Sequence, residues 1–218
     1  MNLKQESFLL RKVKTDEEGK EGILKLSWLT NAVRRTVIVE MGEMTGCGSI
    51  INRSVIISGL FGDQIKSAVS FQLYLRPIVS QFYPEEVSSP VEVNWGFDEN
   101  LKLCLVVPGH RPIAPSFLEC RPDVGEYLLL VSGCREPLVL ELSEIIKSSY
   151  SSFAKKLSLM HIDVESGIPA SLLYRMNGDV AGIAITSTSD DKVLAIPAYE
   201  VLNFYHHHAG FLRETKTV

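Results

Sequence analysis

From Val33 to Ile196 the chain is written in short apolar runs rich in Val, Ile and Leu. Gly, Pro, Asn and Asp punctuate them, and few stretches carry the three-to-four spacing of an amphipathic helix. Thr36–Glu40, Gly48–Ile51, Val55–Ser58, Phe71–Leu75, Val91–Trp95 and Leu101–Val107 read as about six strands, enough for a small closed barrel. The stretch Pro108-Gly109-His110-Arg111-Pro112-Ile113-Ala114-Pro115 has no periodicity and reads as a linker. A second series follows at Tyr127–Val131, Leu138–Leu142, Leu157–Ile162, Ala170–Arg175, Val180–Thr186 and Val193–Ile196. Between two of these, Met176-Asn177-Gly178-Asp179 holds the Asn-Gly pair that favours a tight hairpin with positive φ at both central residues. From Pro197 the period changes: a proline suited to a first helical turn precedes apolar residues three and four apart, which predicts a helix.

These elements predict an all-β protein of two six-stranded antiparallel β-barrels closed by a C-terminal helix. The division is an N-terminal extension (1–31), a first barrel (32–115), a second barrel with the helix (116–205) and a polar tail (206–218). With 218 residues, 45% of them hydrophobic, the chain can bury such a core.

A formal net charge of −4 with the signs interspersed leaves no basic footprint for nucleic acid. The first residues, Met1-Asn2-Leu3-Lys4-Gln5-Glu6, lack the apolar core of a signal peptide, and no apolar run approaches the ~18 residues of a membrane span. The expectation is an intracellular protein, cytoplasmic or nuclear, that engages neither nucleic acid nor membrane. Cys47, Cys104, Cys120 and Cys134 lack the CxxC spacing of a zinc or redox site and read as buried thiols. The adjacent histidines His206, His207 and His208 point about 100° apart on a helix and do not converge on one metal ion by themselves, so they read as a polar helix end. No metal or other cofactor is expected.

Five segments, in order, resemble the trypsin-like serine peptidases, and among them the HtrA/Deg branch. Gly46-Cys47-Gly48-Ser49-Ile50-Ile51 followed by Val55-Ile56-Ile57-Ser58-Gly59-Leu60-Phe61 is similar to the strand and turn that present the catalytic histidine, with Phe61 at its position. Asp98-Glu99-Asn100-Leu101-Lys102-Leu103 is similar to the segment that delivers the catalytic aspartate, with Asn100 in its place. Asp123-Val124-Gly125-Glu126-Tyr127-Leu128-Leu129 matches the start of the second barrel most literally. Asn177-Gly178-Asp179-Val180-Ala181-Gly182-Ile183 and Leu194-Ala195-Ile196-Pro197 resemble the hairpin after the nucleophile and the entry to the last helix. At the nucleophile two registers stay open. Counting back from Gly182-Ile183 without gaps places Pro169 there, while the literal Ser166-Gly167-Ile168-Pro169 places Ser166 there.

Phe61 has no proton acceptor, Asn100 carries no charge to hold an imidazolium, and Pro169 has no backbone N–H for an oxyanion hole. Loss of triad members costs on the order of 10⁴ to 10⁶ in rate. What the resemblance implies is therefore not an enzyme but a pseudoprotease, binding other proteins as a scaffold or interaction subunit of a larger homo- or hetero-oligomeric assembly. The alternative is a hydrolase with relocated residues, Ser166 or a cysteine with His161 as base. In active relatives the substrate adds a strand beside the segment that here is Ala184, Ile185, Thr186 and Ser187, which makes that segment the candidate edge for peptide augmentation. Phe61 is expected to fill the cleft between the barrels and plug this groove.

Overall fold

The computed structural model describes residues 27–51, 54–68, 70–77, 93–108, 122–133, 139–150, 158–163, 168–187, 192–209 and 213–214. In chain order the elements are α1 (Leu29–Arg34), β1 (Thr36–Met41), β2 (Met44–Ile51), β3 (Ser54–Ser58), α2 (Gly59–Ser67), β4 (Tyr74–Pro77), β5 (Val93–Asp98) and β6 (Leu103–Pro108). The second half contributes β7 (Tyr127–Ser132), β8 (Val139–Tyr150), β9 (Ser158–Asp163), β10 (Leu172–Tyr174), β11 (Val180–Ser187), β12 (Lys192–Pro197), α3 (Ala198–Ala209) and β13 (Arg213–Glu214).

The second half is a closed six-stranded antiparallel barrel in the order β10-β11-β12-β9-β8-β7, as expected. The first half departs from expectation. It is an open seven-stranded sheet, β13-β5-β6-β3-β2-β1-β4, instead of a closed six-stranded barrel. Closure would pair β4 with β5. Among the described residues β4 pairs only with β1, and the outer edge of β5 at Asn94 and Trp95 is taken by β13, a strand from the stretch read as polar tail. An edge with unpaired N–H and C=O groups is satisfied by whichever segment reaches it, and here that segment follows α3.

The continuous apolar runs are explained by burial on both faces. Along β3, Val55 and Ile57 face a core inside the first sheet while Ile56 faces the second half; along β6, Cys104 and Val106 divide from Leu103, Leu105 and Val107 in the same way. In the barrel, Leu128 and Leu130 point into its interior, whereas Leu129 and Val131 join a core shared by both halves. That shared core also holds Leu29, Ile183, Ile196, Val201, Phe204 and Tyr205, so α1 and α3 help to cement the halves.

Two short helices had no clear signal in the sequence. α1 precedes the first strand, and α2 sits where a turn was read. The Ser58 hydroxyl accepts the Leu60 N–H as an N-cap, Phe61 and Ile65 stand four apart on the buried side, and Lys66 complements the dipole in the last turn. The predicted C-terminal helix is present, starting after Pro197, and its last turn carries His206, His207 and His208. In the β10–β11 hairpin only Gly178 has positive φ, at 93°, because the turn is longer than the expected two-residue one. The Gly178 N–H reaches the Arg175 carbonyl and the Arg175 N–H the Asp179 carbonyl. Most of the expected inter-barrel linker, including His110, lies outside the described residues, as do Cys120 and Cys134. Among the described residues no helix is long and apolar enough to cross a membrane.

Candidate functional site

Three segments carry the residues that the resemblance places in a triad. The first is the start of α2. Phe61 is 2% exposed and packs with Val39, Met41, Ile57 and Ile65 in the core of the first sheet, a cluster that among the described residues is drawn from the first half. Its ring lies so close to β2 that a Cβ on Gly46 would stand 2.7 Å from Cε2 and 3.1 Å from Cζ. The expectation that Phe61 plugs the cleft between the halves is thus corrected. An aromatic ring gains most where apolar neighbours surround it, and those neighbours belong to its own sheet.

The second loop is the β5–β6 turn. Asn100 is exposed there; its backbone N–H and that of Leu101 both donate to Asp98 Oδ1, at 2.9 and 3.0 Å, which fixes the turn as an Asx motif. Lys102 follows at φ 52°, and its carbonyl accepts the Gly59 N–H at 2.7 Å. Gly59 permits that approach because a Cβ on it would sit 2.5 Å from the Lys102 backbone. The Gly59–Lys102 contact thus joins the helix that carries Phe61 to the turn that carries Asn100.

The third loop precedes β10. Pro169 is partly exposed, and Ala170 is fully buried in the left-handed region at φ 69°. The buried Ser49 hydroxyl of β2 donates to the Ala170 carbonyl across the two halves. Ser171, a residue the sequence did not single out, donates its hydroxyl to Cys47 Sγ at 3.7 Å. Both are completely buried, so this hydroxyl–thiol pair has no access to a substrate. Burial alone pushes the Cys104 thiol far above its usual range, and it raises the Tyr174 phenol despite the opposing charge of Arg35. His161 stands on β9, opposite Leu194 of β12 and Lys147 of β8. Ser166 lies outside the described residues.

The candidate edge divides. The N–H and C=O of Ala184 are paired with the Ser171 carbonyl at 2.9 Å and the Ala170 N–H at 2.8 Å. The β10 register ends at Ile183, and a bulge separates Ala184 from Thr186 against β12. Beyond Ala184, no described strand lies on the side of Ile185, Thr186 and Ser187 away from β12.

No family model matches the sequence, and neither does any curated protein. Solved structures do. The active form of the Rv3671c protease from M. tuberculosis superposes with a TM-score of 0.60 at 15% identity, covering 90% of this chain and 88% of that one. Its inactive form gives 0.59 at 15% identity, covering 84% and 92%. The inactive form of a serine-to-alanine mutant of Rv3671c from strain H37Rv gives 0.60 at 15% identity, covering 87% and 93%. The fold is that of a trypsin-like serine protease. This finding corrects the expectation that the chain is not an enzyme: the structures that share its trypsin-like fold are named proteases, solved in active and inactive forms, and they point towards an enzyme. At 15% identity the likeness establishes the fold, and the catalytic status of the chain is a matter for assay.

Proposed function

We propose that the chain recognises polypeptide segments of partner proteins as an HtrA-like module of a larger assembly, using its trypsin-like fold to pair an extended peptide with β11. One observation carries this reading: among the described residues no strand lies on the side of Ile185–Ser187 away from β12, immediately after Ala184, which the loop holding Pro169 and Ala170 pins through two backbone hydrogen bonds. Strand addition draws its affinity from main-chain N–H and C=O groups, so it asks nothing of Phe61, Asn100 or Pro169. The Ser49–Ala170 and Ser171–Cys47 hydrogen bonds tie the neighbouring loop to the first sheet, which favours an edge positioned before a partner arrives.

The test is selection of binders from a displayed peptide library, followed by amide hydrogen exchange of the complex. Selected peptides should protect the amides at Ile185–Ser187 more than those of the β1–β4 pair. Absence of any selected peptide, or protection confined to other elements, would defeat the reading. The same peptides, together with a fluorophosphonate probe, measure turnover directly: cleavage at the bound segment would assign the edge to a substrate.

A further inference from the structure

β5 is flanked unequally. On its inner side every residue from Val93 to Asp98 is paired with β6. On its outer side, among the described residues, only Asn94 and Trp95 are paired, with Glu214 and Arg213 of β13. That outer side is where β4 would lie if the first sheet closed, and β4 instead ends the opposite edge of the sheet. An edge strand presents a row of N–H and C=O groups that any extended segment can pair with, which makes it a template for strand exchange between chains.

The helix before β13 is anchored on its own account. α3 sinks Val201, Phe204 and Tyr205 into the core shared by both halves. Its last turn is seated on β5: a Cβ on Gly96 would stand 2.9 Å from the His208 Cβ, His208 Nε2 is 3.4 Å from Asp98 Oδ2, and the imidazole packs on the Phe204 ring with centroids 4.8 Å apart. Release of β13 therefore breaks two ladder pairs and leaves α3 in place.

In the chain only Gly210, Phe211 and Leu212 separate α3 from β13. So short a connector presents β13 to its own β5 at high effective concentration, and pairing within one chain wins in dilute solution. The same shortness leaves little slack. If Ala209 were joined directly to Arg213, their Cα atoms would be only about 3.8 Å apart, too close for a helix lying over β5 to be followed by a strand along its edge. A second chain offers β13 the same edge, and pairing there forms the same hydrogen bonds.

We propose that the outer edge of β5 is an interface for a second copy of this chain, filled by reciprocal exchange of β13, each copy lending Arg213–Glu214 to the other's Asn94–Trp95. Reciprocity uses the same patch on both copies, so the assembly closes at two. The interface involves neither β11 nor the Pro169 loop, and each copy keeps its own β11 edge.

The experiment compares three proteins by sedimentation velocity from low micromolar to near-millimolar concentration: the full chain, a variant lacking residues 210–212, and a chain ending at Ala209. The full chain should be monomeric when dilute and gain dimer at the top of the range. The deletion should lower the concentration for half-dimerisation by about tenfold or more, because it removes the competing contact within the chain. The chain ending at Ala209 should stay monomeric throughout. In a mixed dimer, a photoreactive benzoylphenylalanine in place of Glu214 on one chain should cross-link to residues 93–98 of a differently tagged chain. A folded deletion variant that stays monomeric, a truncated chain that dimerises as readily as the others, or cross-links between chains confined to other elements would overturn the proposal. Circular dichroism reports whether the deletion variant is folded; if it is not, the full and truncated chains decide alone, and equal sedimentation of the two at every concentration rejects the exchange.

Discussion

Replacing Gly46 by alanine tests directly whether Phe61 is a core residue of the first sheet. The new Cβ would stand 2.7 Å from Phe61 Cε2 and 3.1 Å from Cζ, inside the range where a neighbour must move. The ring cannot swing away cheaply, because it is 2% exposed among Val39, Met41, Ile57 and Ile65. Overpacking of this kind costs about 1 to 3 kcal/mol. Gly46 is not at positive φ, so alanine brings no backbone strain and returns about 0.4 to 1 kcal/mol through the unfolded chain. Phe61→Ala alone should cost about 3 to 5 kcal/mol, the range for truncating a buried phenylalanine. In that background the obstructing ring is gone, and Gly46→Ala should become neutral or slightly stabilising. The double-mutant cycle should therefore show a coupling of about 1 to 3 kcal/mol between the two sites. Urea denaturation of the four proteins followed by circular dichroism measures it. An equal cost of Gly46→Ala in both backgrounds would show that the ring does not rest on β2, and the account of Phe61 as a core residue would fail.

Three further outcomes are expected. Ser49→Ala strands the buried Ala170 carbonyl at the junction of the halves and should destabilise by about 1 to 3 kcal/mol in the same denaturation assay; no change would mean that the Ala170 carbonyl keeps another partner. Lys102→Gly removes a side chain from a left-handed residue that is itself exposed, and should raise the unfolding midpoint by the equivalent of about 0.5 to 1 kcal/mol, whereas a fall would show that φ 52° carries no strain. Asp98→Ala should cost about 1 to 2 kcal/mol at neutral pH by uncapping the Asn100 and Leu101 N–H groups. Because the folded Asp98 carboxyl lies below its ordinary value of 3.8, its stabilisation is present above that pH and lost as pH falls through the folded value. The gap between wild type and Asp98→Ala should accordingly narrow in acid, and a gap constant down to low pH would contradict the assignment.

The strands were legible because their signal is local. Residues 55–57, 103–107 and 128–131 are apolar at every position, and a strand buried on both faces needs just that. The order of the motifs was enough to anticipate a trypsin-like fold, the closed second barrel and the helix after Pro197. Other features were decided by partners far away in the chain. α2 contains Gly59 and Gly62, poor helix formers that sequence reading took for a turn; they are there because Gly59 abuts the Lys102 backbone and Gly62 abuts the Phe97 ring. Whether Phe61 would face the cleft or its own sheet depended on the space left by Gly46, and whether the first sheet closed depended on β13 reaching β5 from the far end of the chain. The same holds for Asp98. Its sequence neighbours explain the Asx turn, but only the packing of α3 beside β5 brings His208 to it. Local chemistry fixes which backbone conformation each segment prefers, whereas the meeting of segments more than a hundred residues apart is set by the packing of the whole core, which no short window of sequence contains.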